Sequence, residues 1–295
     1  MKLIRHIWQW NENANEEEFR IIDKISCKCV LMSRLYYMSV GAAAVSGVSR
    51  PIVIKLLKLW QGVEGDLEVP HKASFLWSTS TPLGYIAAFI WNLITVNFLV
   101  NASVAIDTLF LWLVANILIR FCILKERFKK AAQQTLPIIT HELIIKNIKS
   151  HTQILNLAKE LDSIFGEIIF LKSLVSCSQI CFLVYRFMGK ETSVATLNYP
   201  FVFLVAVVMQ LFLYCFSGQL VKEQSLTVST CIFENFNWSD LPVNCQKMLQ
   251  MIMLRSQKCS NIKGIFFNLN LSLYLWFFKT AGSLLAVLKT FEADV

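Results

Sequence analysis

A chain of 295 residues that is 55% hydrophobic and only 16% charged falls outside the soluble globular class, where about 25% of residues are charged. Its formal charge of +8 does not point to nucleic acid, because the lysines and arginines alternate between segments along the chain instead of clustering. Its four histidines (His6, His71, His141, His151) lack carboxylate or serine partners at catalytic spacing, and no glycine-rich phosphate loop is present, so neither an enzyme nor a cofactor is expected.

Met1–Arg34 carries scattered charges, including Glu16, Glu17 and Glu18, and does not have the shape of a signal peptide. A bilayer crossing needs about 20 apolar residues, and five stretches qualify: 35–57, 85–106, 167–187, 200–220 and 265–288. Backbone groups in lipid must be bonded within their own segment, so all five are expected to be helices. In the first, the small residues Gly41 to Gly47 let a neighbouring helix approach closely, and Pro51 is placed to kink the helix. Trp60–Gly84, interrupted by Gly62, Gly65, Pro70 and Pro82, is expected to be a loop lying as a lid over the outer helix ends.

Tyr85–Gln134 holds neither glycine nor proline and is expected to be one helix of about 75 Å, far longer than the hydrocarbon is thick. Asp107 marks its exit from lipid. Beyond it, apolar residues recur at helical spacing among Arg120, Lys125, Glu126 and Arg127, and the pattern repeats over 138–165. Lys172 reaches the headgroups by snorkelling, Pro200 is expected at a first helical turn, and a helix starts after Asp240-Leu241-Pro242. Segments 107–165 and 219–263 are therefore expected to pack as a cytoplasmic helical bundle that serves as an assembly surface. The fold class is an all-α membrane protein with five transmembrane helices, residues 1–295 forming a single transmembrane domain.

Nineteen lysines and arginines fall in the first, third and fifth polar stretches and seven in the alternate ones, which places the N-terminus in the cytoplasm and the C-terminus outside. Cys27-x-Cys29 has no second pair to complete a metal site, and none of the nine cysteines falls in an outer stretch, so free thiols are expected.

The last span is unusually polar. Lys279, Ser283, Ala286 and Lys289 recur at spacings of three or four and share one face, which suits either the wall of a water path or contacts with other helices. At the outer ends, Tyr85, Phe89 and Asn92 together with Tyr199, Phe201 and Phe203 suit either an apolar ligand pocket or an aromatic belt.

Four motifs run in order through the last third of the chain: Tyr214-Cys215-Phe216, Trp238 before Leu241-Pro242, Leu254-Arg255-Ser256-Gln257, and Lys279-Thr280 with Ser283. Together they resemble the signature of the insect odorant receptors. Ile262-Lys263-Gly264 stands where threonine-alanine-glycine is commoner, and Ala281-Gly282-Ser283 where serine-tyrosine-serine is frequent. The resemblance implies a seven-helix plasma-membrane subunit of olfactory neurons that binds volatile apolar odorants. It also implies that the subunit gates a non-selective cation channel, tetrameric with an obligate co-receptor. The five spans would equate to helices 3–7, with the first two missing. The last helix would line the pore, with its gate near Ala286 and Lys289. Alternatives are a gustatory receptor of the same superfamily or a non-functional fragment. A G-protein-coupled receptor disagrees with the charge bias, and a transporter with the absence of internal repeats.

Overall fold

The computed structural model describes residues 15–60, 62, 69, 70, 75, 77–79, 81–134, 137–187 and 194–293. Most of the expected outer lid between Trp60 and Gly84 therefore lies outside the described residues. Six helices are present among those described: α1 (Glu16–Trp60), α2 (Pro82–Ala132), α3 (Pro137–Phe187), α4 (Val194–Asn235), α5 (Val243–Gln257) and α6 (Leu271–Ala293). A two-stranded antiparallel hairpin, β1 (Lys263–Gly264) and β2 (Phe267–Asn268), separates α5 from α6.

Local chemistry accounts for the helix ends. Glu16, Glu17 and Glu18 occupy the first turn of α1, where carboxylates suit the positive end of the helix dipole, and Lys58 lies in its last turn. Pro82 and Pro137 open α2 and α3, where the missing N–H is no loss. α1 to α4 are each long and apolar enough to cross a membrane, and a shorter apolar stretch, Leu271–Val287, lies in α6.

Several boundaries differ from those expected. α1 starts at Glu16, within the charged stretch Met1–Arg34 and well before the first expected span at 35. By contrast, α3 runs through Gly166 as expected, joining 138–165 to the span 167–187, since one interior glycine costs only about 1 kcal/mol. Pro200 lies inside α4 instead of opening it. The last helix begins at Leu271, not Ile265, because the chain turns at Ile265 (φ 35°) and pairs Lys263 with Asn268.

The chain divides into two compact units. Residues 1–31, 110–172 and 213–274 form the first. It has an ordinary hydrophobic core, with Phe110, Phe121, Phe128, Ile144, Leu161, Cys215, Val228, Leu249 and Ile262 all buried. Phe110 packs on Tyr214 at 4.7 Å and on Phe165 at 5.4 Å. Glu18, itself buried, accepts from Arg127 Nε at 2.8 Å, and Glu17 pairs with Lys130, so two of the three acids of the first turn are tied to α2.

Residues 32–109, 173–212 and 275–295 form the second unit. Here large apolar side chains face outward: Ile90, Trp91, Ile94, Phe98 and Leu99 on α2, and Phe182 on α3. α2 thus wears its apolar groups outside before Asp107 and inside after Phe110. An exposed apolar surface of that extent, on helices of this length, is a lipid-facing one.

Candidate functional site

The outer aromatic residues pair within their own helices. On α2 the rings of Tyr85 and Phe89 lie 6.3 Å apart, and on α4 Tyr199 stacks on Phe203 at 5.9 Å. Asn92 is buried, and its Nδ2 donates to the carbonyl of Ala88 at 3.1 Å. Phe201 stands apart from both pairs and is 59% exposed. Gly47 of α1 receives the Tyr199 ring, since a Cβ there would lie 2.8 Å from Cε2. Pro51, four residues on, has no N–H to give the Gly47 carbonyl, so that oxygen lacks its helical partner.

On α6, Lys279, Ser283 and Ala286 are all exposed and share one side, while Phe277 and Ala281 are buried on the opposite side. The Lys289 side chain lies outside the described residues. Asn268 and Asn270, inside the stretch 265–288 expected as the last span, precede the helix. Asn268 sits in β2, and Asn270 caps α6 by accepting from the Leu273 N–H at 2.7 Å.

A third cluster escaped the sequence reading. Asp107 is 2% exposed, and its Oδ2 accepts from the Tyr36 hydroxyl at 2.5 Å and from Gln210 Nε2 at 2.7 Å. One carboxylate oxygen therefore ties α1 and α4 to α2. A buried carboxylate is tolerated only when donors surround it, and these are supplied by residues 71 and 103 positions away. Gln210 was the available signal, as a lone amide inside an apolar run.

Outside the five apolar stretches, in the first unit, His151 is buried, with Nε2 3.5 Å from Ser256 Oγ. Burial, reinforced by the nearby Arg255 charge, pushes its pKa down to about 4, so the ring is neutral at pH 7. No group of three or more metal-ligating side chains occurs among the described residues.

The family model for the 7tm Odorant receptor matches residues 1–282. The chain belongs to the odorant receptor family. Odorant receptor 45a of Drosophila melanogaster is 34% identical over 244 residues, covering 80% of this chain and 62% of that receptor's length. Odorant receptor 82a of the same fly is 25% identical over 88% of this chain and 68% of its own. The chain thus spans under two thirds of the length of Odorant receptor 45a. In fold it matches the insect olfactory receptor OR5 from Machilis hrabei in complex with eugenol, with a TM-score of 0.78 at 16% identity over 92% of this chain and 68% of that one. The family model and the Drosophila relatives, not the fold match, favour the odorant branch over the gustatory one. As an odorant receptor family member with apolar helices of spanning length, the chain is a multi-pass membrane protein.

Among the described residues, α2 and α4 offer rings and one buried amide, α1 offers a carbonyl without its helical N–H partner, and α6 offers a row of polar or small groups facing away from the chain's own packing.

Proposed function

We propose that this chain is an odorant receptor subunit that binds small volatile apolar molecules among its outer aromatic residues. Binding gates a non-selective cation path along α6, in an assembly with a co-receptor subunit, probed most simply as a tetramer. Its place is the plasma membrane of olfactory neurons, as a single transmembrane domain with the N-terminus cytoplasmic and the C-terminus outside. The cytoplasmic segments 107–165 and 219–263 serve assembly. The observation that carries this reading is the sidedness of α6: Lys279, Ser283 and Ala286 are turned away from the stripe of Phe277 and Ala281 by which the helix packs. Lysine and serine on a spanning helix do not suit lipid, and a water path would solvate them. Lys289 continues the same row by spacing and belongs to this proposal.

The test is cysteine substitution in cells expressing this chain with a co-receptor. Ser283→Cys and Ala286→Cys are expected to react with a water-soluble thiol reagent and lose odorant-evoked current, while Phe277→Cys and Ala281→Cys stay unmodified. No current is expected without the co-receptor. Unreactive thiols at 283 and 286 in subunits that still reach the cell surface would refute the pore face.

A further inference from the structure

The Nε atom of Arg50 is buried and has no hydrogen-bond partner among the described residues. Arg50 lies one turn beyond Gly47, and therefore beside the contact in which Tyr199 fills the space a side chain would take. Pro51 leaves the Gly47 carbonyl without its helical partner, and on α4 the Tyr199–Phe203 stack supplies apolar surface, with Pro200 next in sequence. Arg50 and the exposed Arg186 of α3 are both near enough to Tyr199 to act on it electrostatically. All these residues belong to the second unit.

A guanidinium is charged at every physiological pH and only donates. Leaving such a donor buried without an acceptor is costly. An oxygen acceptor offered by a ligand removes that penalty. A pure hydrocarbon does not and leaves the donor desolvated.

We infer that Arg50 selects the ligand class: a small apolar molecule ending in a carboxylate or carbonyl oxygen, with that oxygen on the Arg50 Nε–H and the hydrocarbon chain against Tyr199 and Phe203. This rests on the ligand-binding reading of the outer aromatic residues given above. Arg186 strengthens the pull on a carboxylate, and the Gly47 carbonyl accepts from a protonated acid or a bridging hydroxyl.

The experiment is a ligand titration of the full chain in lipid nanodiscs, read by tryptophan fluorescence, with three probes of equal carbon count: octanoate, methyl heptanoate and n-octane. The oxygenated probes are expected to bind at least about tenfold more tightly than octane. Arg50→Gln is expected to raise their Kd by about 10- to 100-fold, the range a hydrogen bond to a charged group commands, without changing the Kd for octane. Arg50→Lys should keep octanoate better than the ester, since it retains the charge but not the directed donor. A circular-dichroism melt of Arg50→Gln matching that of the parent establishes that it folds. The inference is overturned if Arg50→Gln binds the oxygenated probes with the parent's Kd, or if octane binds the parent as tightly as they do. In both cases the ligand-binding reading survives. Binding of none of the three by the parent would overturn both.

Discussion

Removing the tyrosine hydroxyl from the Tyr36–Asp107–Gln210 cluster isolates one donor with little change of shape. Tyr36→Phe leaves Asp107 Oδ2 with the Gln210 donor at 2.7 Å, so the carboxylate is weakened but not orphaned. A hydrogen bond to a charged group contributes about 1.5–3 kcal/mol, whereas side-chain bonds within membrane proteins average about 0.6 kcal/mol. Tyr36 and Asp107 are both 2% exposed, and the bond is 2.5 Å long, which favours the upper range; about 2 kcal/mol is expected. Asp107→Leu takes their shared acceptor from the buried Tyr36 hydroxyl and the half-buried Gln210 amide and should cost about 3 kcal/mol. Once the acceptor is gone, the hydroxyl keeps only its weaker contacts with Ser103 and Gln210, so removing it then costs little. The double variant should therefore be about as stable as Asp107→Leu alone, a coupling of about 2 kcal/mol. Chemical unfolding of the four proteins in one detergent, followed by helical circular dichroism, closes the cycle. Additivity within about 0.5 kcal/mol would show that the 2.5 Å contact contributes nothing specific, and the reasoning would fail.

Two further outcomes follow from the first unit. Gly218→Ala would place its Cβ 2.4 Å from both the Cβ and the carbonyl oxygen of Leu269. Because backbone must move, a loss of about 1–3 kcal/mol is expected, seen as a lower melting temperature and reduced surface expression, while Gly41→Ala, with open space around it, should be silent. For His151, the folded pKa of about 4 lies below the ordinary 6.5, so on acidification the unfolded chain takes up a proton that the folded one refuses. Its contribution to stability is complete above pH 6.5 and is lost as the pH falls towards 4, by up to about 3 kcal/mol. His151→Gln should flatten the melting temperature across that window; an unchanged pH profile would contradict the burial argument.

Sequence periodicity served well wherever neighbouring residues decide structure. The unbroken α2 and the reversal of its apolar face near Asp107 follow from the absence of glycine and proline and from the spacing of Leu111, Ala115 and Leu118. Lys279, Ser283 and Ala286 were placed on one face by spacing alone, and the structure leaves all three exposed. Distant contacts defeat the same method. Ile265, Phe266 and Phe267 look like the start of a spanning helix, but Lys263 donates its N–H to Asp162 Oδ1 at 2.5 Å and Leu269 donates to Ile262 at 2.9 Å, which hold a hairpin there. That Tyr36 and Gln210 meet at Asp107 was illegible for the same reason, each being a single polar residue in a different helix. Phe201 alternates with Tyr199 and Phe203 as on a strand, yet on a helix it turns about 200° away from the first of them.

The hairpin before α6 bears on how that helix can move. Its first turn is held by the Asn270 cap, by the bond from Leu269 to Ile262, and by Gly218 against the Leu269 backbone. A rod held most firmly at its root, and beyond it by the stripe of Phe277 and Ala281, shifts chiefly by pivoting. At 1.5 Å per residue the 23 residues of α6 measure about 34 Å, so a swing of about 5° carries the far tip about 3 Å while the fastened turn hardly stirs. Leverage of that kind makes Ala286 and its neighbours travel several times farther than Ser272, with no bond broken at the root.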